Sequence, residues 1–172
     1  MKKILIVVDF QNDFVTGSLG FEAAQNIESR ILERIAEARA EGAEVLFTMD
    51  THLEDYMDTV EGQFLPVPHC IRGTDGWRLT PALEAVAKEG ECLEKPTFPS
   101  LELGEYLRKG EYDEVELIGV VTNICVISNA VMVKAALPNA KIVVDSSACA
   151  SNDPALELKS YDIMRNLHIV VK

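Results

Sequence analysis

Cysteine, histidine and positive charge are all scarce in this chain. Its four cysteines, Cys70, Cys92, Cys125 and Cys149, are spread over 172 residues without CxxC spacing. That pattern excludes a zinc ribbon or a disulfide scaffold and favours a reducing cytoplasm. Sixteen basic residues face 28 acidic ones, a net charge of −12. The resulting field repels phosphate backbones and anionic lipid, so neither nucleic acid nor a membrane is expected as a partner. No apolar run approaches the roughly 18 residues of a membrane span. The opening MKKILIVVDF stops being apolar at Asp9 and no small-residue cleavage site follows, so it reads as a first core strand rather than a signal peptide.

What the chain does have is regular alternation. Short β-branched runs predict strands at Lys3–Val8, Glu44–Thr48, Cys92–Glu94, Val115–Ile118, Lys141–Val144 and His168–Val171. Helical patterns fall between them, near Glu22–Glu41, Pro81–Lys88, Leu101–Lys109, Ile124–Ala136 and Pro154–Asn166. Strand and helix in turn imply an α/β fold of three layers, a doubly wound, mainly parallel six-stranded sheet with right-handed crossovers. The length suits one domain over residues 1–172. The long irregular segment, Asp50–Leu79, is of a size more often functional than idle.

Three residues of complementary chemistry sit where predicted strands run out: Asp9, Lys95 and Cys125. In an open parallel sheet those ends share the rim at which ligands bind. A carboxylate, an ammonium and a thiol together there form a base, a cation and a nucleophile. Any one of them alone reads blandly, as a turn-forming Asp, a surface Lys or a core thiol. Thr122 is placed as an N-cap, which would set Cys125 in a first helical turn where backbone N–H groups favour a thiolate and can hold an oxyanion. Asp50 and His52 are two apart and project together from an extended segment, and His69 can complete a carboxylate–imidazole site for a divalent metal. Asp58 and Glu61 are candidate further ligands from the same segment. His168 is expected to be structural.

The segments DFQNDF at 9–14, DTH at 50–52, PHCIRGTDG at 68–76, KPTFPS at 95–100 and GVVTNICV at 119–126 resemble, in order, those of the isochorismatase-like cysteine hydrolases, and within them the nicotinamidase/pyrazinamidase branch. The resemblance implies a catalytic triad of Asp9, Lys95 and Cys125 and an oxyanion hole from the N–H groups of Val121 and Cys125, with a cis bond at Val120–Val121. It further implies one divalent ion (zinc, iron or manganese) on Asp50, His52, His69 and either Asp58 or Glu61, with Phe14 lining the pocket. The expected partner is a small amide, and a homo-oligomer is expected as well. The aromatic that many nicotinamidases carry just before PHC is out of register, since Pro66 and Val67 precede Pro68 and Phe64 lies farther back. A ureido or carbamoyl amide therefore stands as the alternative substrate. Cys125 argues against the branch that cleaves a vinyl ether without a cysteine. A phospho-receiver domain is the rival from another class, and it would leave His52, His69 and Cys125 without roles.

Overall fold

The computed structural model describes residues 1–172. Six strands, β1 (Lys3–Val8), β2 (Glu44–Asp50), β3 (Cys92–Lys95), β4 (Glu114–Val120), β5 (Lys141–Ala150) and β6 (Val170–Val171), form one sheet in the order β3-β2-β1-β4-β5-β6. Every neighbouring pair is parallel. The helices are α1 (Asn12–Val15), α2 (Glu22–Asn26), α3 (Glu28–Ala40), α4 (Val60–Phe64), α5 (Pro81–Glu84), α6 (Leu101–Gly110), α7 (Ile127–Ala136) and α8 (Pro154–Asn166). None is long and apolar enough to cross a membrane.

Alternation along β1 explains the layers. Ile4, Ile6 and Val8 face one core with Leu103 and Leu107 of α6, Ala130 and Val133 of α7, and Met164 of α8. Leu5 and Val7 face the other, with Phe14 of α1, Ala24 of α2, Ile31 and Ile35 of α3, and Leu83 of α5. A central strand buried on both sides has to be apolar at every position, which is why ILIVV shows no period of two. From β1 the chain winds outward to β3, then returns beside β1 as β4 and winds the other way. The carboxyl ends of β1 and β4 therefore flank the switch point, where an open α/β sheet leaves a crevice.

Several boundaries differ from the sequence reading, each for a local reason. The predicted helix Glu22–Glu41 is divided at Ile27, which closes α2 and opens α3. Strand β5 runs six residues past Val144 through a bulge: Leu117 pairs with Val144, and the next pairing joins Gly119 to Cys149. Asp145 folds this bulge by accepting bonds from the Ser147 N–H at 3.0 Å and hydroxyl at 2.6 Å. His168 lies in the turn after α8 with φ +61° rather than in β6. The segment Asp50–Leu79 is ordered, with a 3₁₀ turn at Tyr56–Asp58, helix α4, and bridges from His52 to Ile71 and from Gln11 to Leu79.

Gly119 lets β4 approach β1. Its φ is +115°, and a β-carbon there would collide with the Val8 carbonyl and lie 2.8 Å from the Val8 nitrogen. Gly42, φ +76°, has open space around it. Gly42→Ala should therefore cost only the left-handed backbone penalty, about 1–2 kcal/mol, while Gly119→Ala should cost roughly 3 kcal/mol or more because two strands must also separate. Urea midpoints of the two variants check this, and equal losses would contradict the close-approach argument.

Candidate active site

The turn after β1 presents Asp9. Its φ of +49° is a region that Asp tolerates better than most residues, and its N–H bonds the Thr48 carbonyl at 3.2 Å. Its side chain is fully buried. The Thr48 hydroxyl donates to Oδ1 at 2.7 Å, which leaves Oδ2 turned to the Lys95 Nζ at 2.7 Å. Lys95 ends β3, two strands away. Its ammonium also lies 3.3 Å from Asp50 Oδ1, 3.0 Å from the Thr97 carbonyl and 3.7 Å from Cys125 Sγ. The three residues singled out in the sequence thus meet around one cation.

Electrostatics divide the group by role. Burial raises the Asp9 carboxyl against the lowering pull of Lys95, making it a stronger base than a solvated Asp. Burial would strip the proton from Lys95, but the charges of Asp9 and Asp50 oppose it, and the ammonium is held well above its usual value. Burial also pushes the Cys125 thiol well up, with Lys95 opposing and Asp9 and Asp50 adding to the rise. Burial thus opposes the ionisation that a helix N-terminus by itself would favour at Cys125.

Residues Thr122–Val126 form a π-turn ahead of α7, and Val121 rather than Thr122 caps it. The Thr122 hydroxyl donates instead to Glu157 of α8 at 2.7 Å, anchoring the turn from below. The Val120–Val121 peptide is cis, as the resemblance implied. The Val121 carbonyl accepts the N–H groups of Ile124 and Val126 at 3.0 and 3.2 Å. Cys125 is thereby set at the end of β4, with its side chain 4% exposed.

Beside this trio, Asp50, His52, Glu61 and His69 bring four ligand atoms within 4.8 Å of one another. His52 Nε2 and His69 Nε2 lie 3.0 and 3.4 Å from Asp50 Oδ2, and 3.5 and 3.7 Å from Glu61 Oε1. His69 Nδ1 sits 2.8 Å from the Val67 carbonyl, which makes Nδ1 the donor and leaves Nε2 a lone pair for a metal. Burial and the neighbouring Asp50 charge raise the Glu61 carboxyl. Burial works the same way on Asp50, but the hydrogen bonds of His52 and His69 and the charge of Lys95 overcome it and hold that carboxyl well below its usual range. Two imidazoles and two crowded carboxylates are a donor set that a divalent cation of the zinc, iron or manganese kind relieves. Of the two further ligands considered, Glu61 joins this cluster; Asp58 is exposed and outside it.

Gln11 holds the cluster in place. Its buried amide pairs with both backbone groups of Asp50, accepting the N–H at 2.8 Å and donating to the carbonyl at 2.9 Å, with a further bond to the Trp77 carbonyl at 2.7 Å. Asp13 accepts the Cys70 N–H at 2.8 Å and so fixes the residue after His69.

A cavity of about 170 Å³ opens onto Cys125, Asp50, Glu61 and His69. Phe14, Leu19, Phe21, Leu65, Phe98, Val121, Ile124 and Asn152 complete its walls. Phe14 meets the His69 ring edge-on at 5.5 Å. The volume is below the roughly 300–1,000 Å³ of drug-sized pockets, so a small molecule is implied. Phe14 was legible in the sequence. Phe98 was within reach, three residues after Lys95 in KPTFPS, whereas Leu19, Phe21, Leu65, Ile124 and Asn152 carry no local signal. Phe64 is exposed and does not line this cavity; Leu65 takes the wall instead.

Comparison with known proteins agrees with this geometry. The isochorismatase domain model matches residues 3–171. The nicotinamidase/pyrazinamidase of Mycobacterium tuberculosis is 32% identical over 142 residues, covering 72% of this chain and 74% of its own. The crystal structure of nicotinamidase/pyrazinamidase PncA from Bacillus subtilis superposes with a TM-score of 0.85 at 29% identity, covering 99% of each chain. That of N-carbamoylsarcosine amidase from Thermoplasma acidophilum gives 0.80 at 28%, covering 100% of this chain and 96% of its own. With the fold, the convergence of its motifs on one cavity and the match over nearly its whole length in agreement, the chain belongs to the isochorismatase family.

Proposed function

We propose that the protein is a cysteine amidohydrolase that converts a small, heteroaromatic primary amide of the nicotinamide type to its acid and ammonia. The observation that carries this reading is the Lys95 ammonium, buried in contact with Asp9 and with Cys125, the latter lining a small, largely apolar cavity. The relatives named as nicotinamidases and pyrazinamidases support it. The receiver reading would leave Cys125, His52 and His69 idle, yet all three belong to this one assembly.

In the proposed reaction Asp9 takes the thiol proton of Cys125 as sulfur attacks the amide carbon. Lys95 stabilises the thiolate that forms, and the N–H groups of Val121 and Cys125 hold the oxyanion. Collapse breaks the C–N bond, and Asp9 returns its proton to the leaving nitrogen, which departs as ammonia. Asp9 then deprotonates a water that attacks the thioester; the C–S bond breaks, the acid leaves and the thiol regains its proton. A divalent ion on Asp50, His52, Glu61 and His69 would supply a Lewis acid at the cavity wall, suited to a ring nitrogen. Phe14, Phe21 and Phe98 suit a planar ring. A carbamoyl or ureido amide is the second reading, favoured by the likeness to the carbamoylsarcosine amidase and by the missing aromatic before His69.

Cys125→Ala should abolish turnover with the fold retained, and Asp9→Asn and Lys95→Met should each lower kcat by on the order of 10³-fold or more. Combining them should add little, because all three groups serve one thiolate. Near-native turnover in any single variant removes that residue from the mechanism.

Elemental analysis should find about one divalent ion per chain, lost in His52→Ala and in His69→Ala and retained in Asp58→Ala. Protein that hydrolyses amides fully without metal, and binds no added zinc or manganese, would return these histidines to a structural role.

At equal concentration nicotinamide should be hydrolysed faster than benzamide, which has the same shape but no ring nitrogen, and faster than a ureido acid. A preference for the ureido compound would favour the second reading and leave the cysteine chemistry standing.

A further inference from the structure

The strand that ends in Lys95 runs into Pro96, Thr97, Phe98 and Pro99, and this stretch makes no backbone–backbone hydrogen bond. Two of its four residues are prolines and cannot donate. Yet it carries the Thr97 carbonyl that receives Lys95 and the Phe98 ring that walls the cavity. Residues 96–98 are exposed, so little packing restrains them. A segment this free should wander by an ångström or more, and a misplacement of that size at a reacting centre costs about a hundredfold in rate.

What restrains it is Asn129, one turn into α7 and wholly buried. Its Oδ1 accepts the Ser100 N–H at 3.0 Å, and its Nδ2 donates to the Phe98 carbonyl at 2.9 Å. The other Nδ2 hydrogen goes to the Cys125 carbonyl at 2.8 Å. One amide thus ties the far end of the loop to the turn that holds the candidate nucleophile. A lone buried Asn often only satisfies its own polarity; here every partner is backbone of the site. We infer that Asn129 is a positioning residue, which locks the Lys95–Ser100 segment onto the Cys125 turn and so fixes the spacing between ammonium, thiol and pocket wall. The inference deepens the amidohydrolase reading and rests on it for its kinetic consequence.

Two variants divide the contacts. Asn129→Leu keeps the volume and removes all three bonds. Asn129→Thr can still bond the Cys125 carbonyl four residues back, as helical Thr commonly does, but cannot reach the loop. Turnover of nicotinamide per Cys125, with thiols titrated by iodoacetamide and mapped by mass spectrometry, should fall about tenfold to a hundredfold in both. The alkylation rate of Cys125 should fall in both relative to the exposed Cys92, because the thiolate loses its fixed ammonium. Thr behaving as wild type would show that the Cys125 carbonyl alone matters and would overturn the loop tie. Unchanged turnover per thiol with an equal or faster Cys125 alkylation, whatever the thermal stability, would leave Asn129 a core group and nothing more. If wild type hydrolyses no amide, the alkylation ratio still decides the positioning claim, and the failure belongs to the substrate reading.

Discussion

An ammonium ion without access to water must be surrounded by charge and dipoles, and Lys95 organises this structure because it is one. Its side chain is shut off from solvent, and it touches two carboxylates, a carbonyl and a thiol. Removing a partner from such a buried charge typically costs about 3–5 kcal/mol, so each of these contacts constrains the others. Asp9 is turned toward Lys95 by Thr48, Asp50 by Gln11, and Cys125 by the π-turn that Asn129 and Glu157 hold. Because Asp50 touches both Lys95 and the imidazoles, the thiol chemistry and the cation site share one electrostatic unit.

The fold supplies what no single contact can. Strands β1, β2, β3 and β4 deliver Asp9, Asp50, Lys95 and Cys125 to the same rim, because a parallel sheet ends all its strands on one side. The switch between β1 and β4 is where such a sheet leaves a crevice, and the cavity opens there onto Cys125. Gly119 lets those two strands approach closely, bringing Asp9 and the Cys125 turn together.

Much of this was legible in the sequence, for a definable reason. Asp9 stands out because it directly follows a buried apolar run, Lys95 because it ends a short strand, and Cys125 because it lies just past a strand-to-helix junction, and a parallel fold makes such positions converge. Asp50 and His52 were readable through their spacing of two. What failed was local in appearance and long-range in cause. Thr122 looks like a cap, but its hydroxyl serves Glu157 on another helix. A helix start favours the Cys125 thiolate, but the burial that only the fold reveals pushes the thiol the other way. Asp58 and Glu61 could not be told apart until helix α4 turned one inward and left the other in solvent. Thr48, Gln11 and Asn129 were invisible because the bonds that set Asp9, Asp50 and the 98–100 loop link residues about 30 or more positions apart.

The proposed chemistry turns on a covalent bond between substrate and Cys125, made possible by the Asp9–Lys95 pair. Acid-quenching the enzyme during steady turnover of nicotinamide, then mapping its peptides by mass spectrometry, tests this most directly. The Cys125 peptide should appear heavier by one acyl group, and Cys70, Cys92 and Cys149 should remain unmodified. Acid accumulating while the Cys125 peptide stays unmodified at every quench time would contradict it.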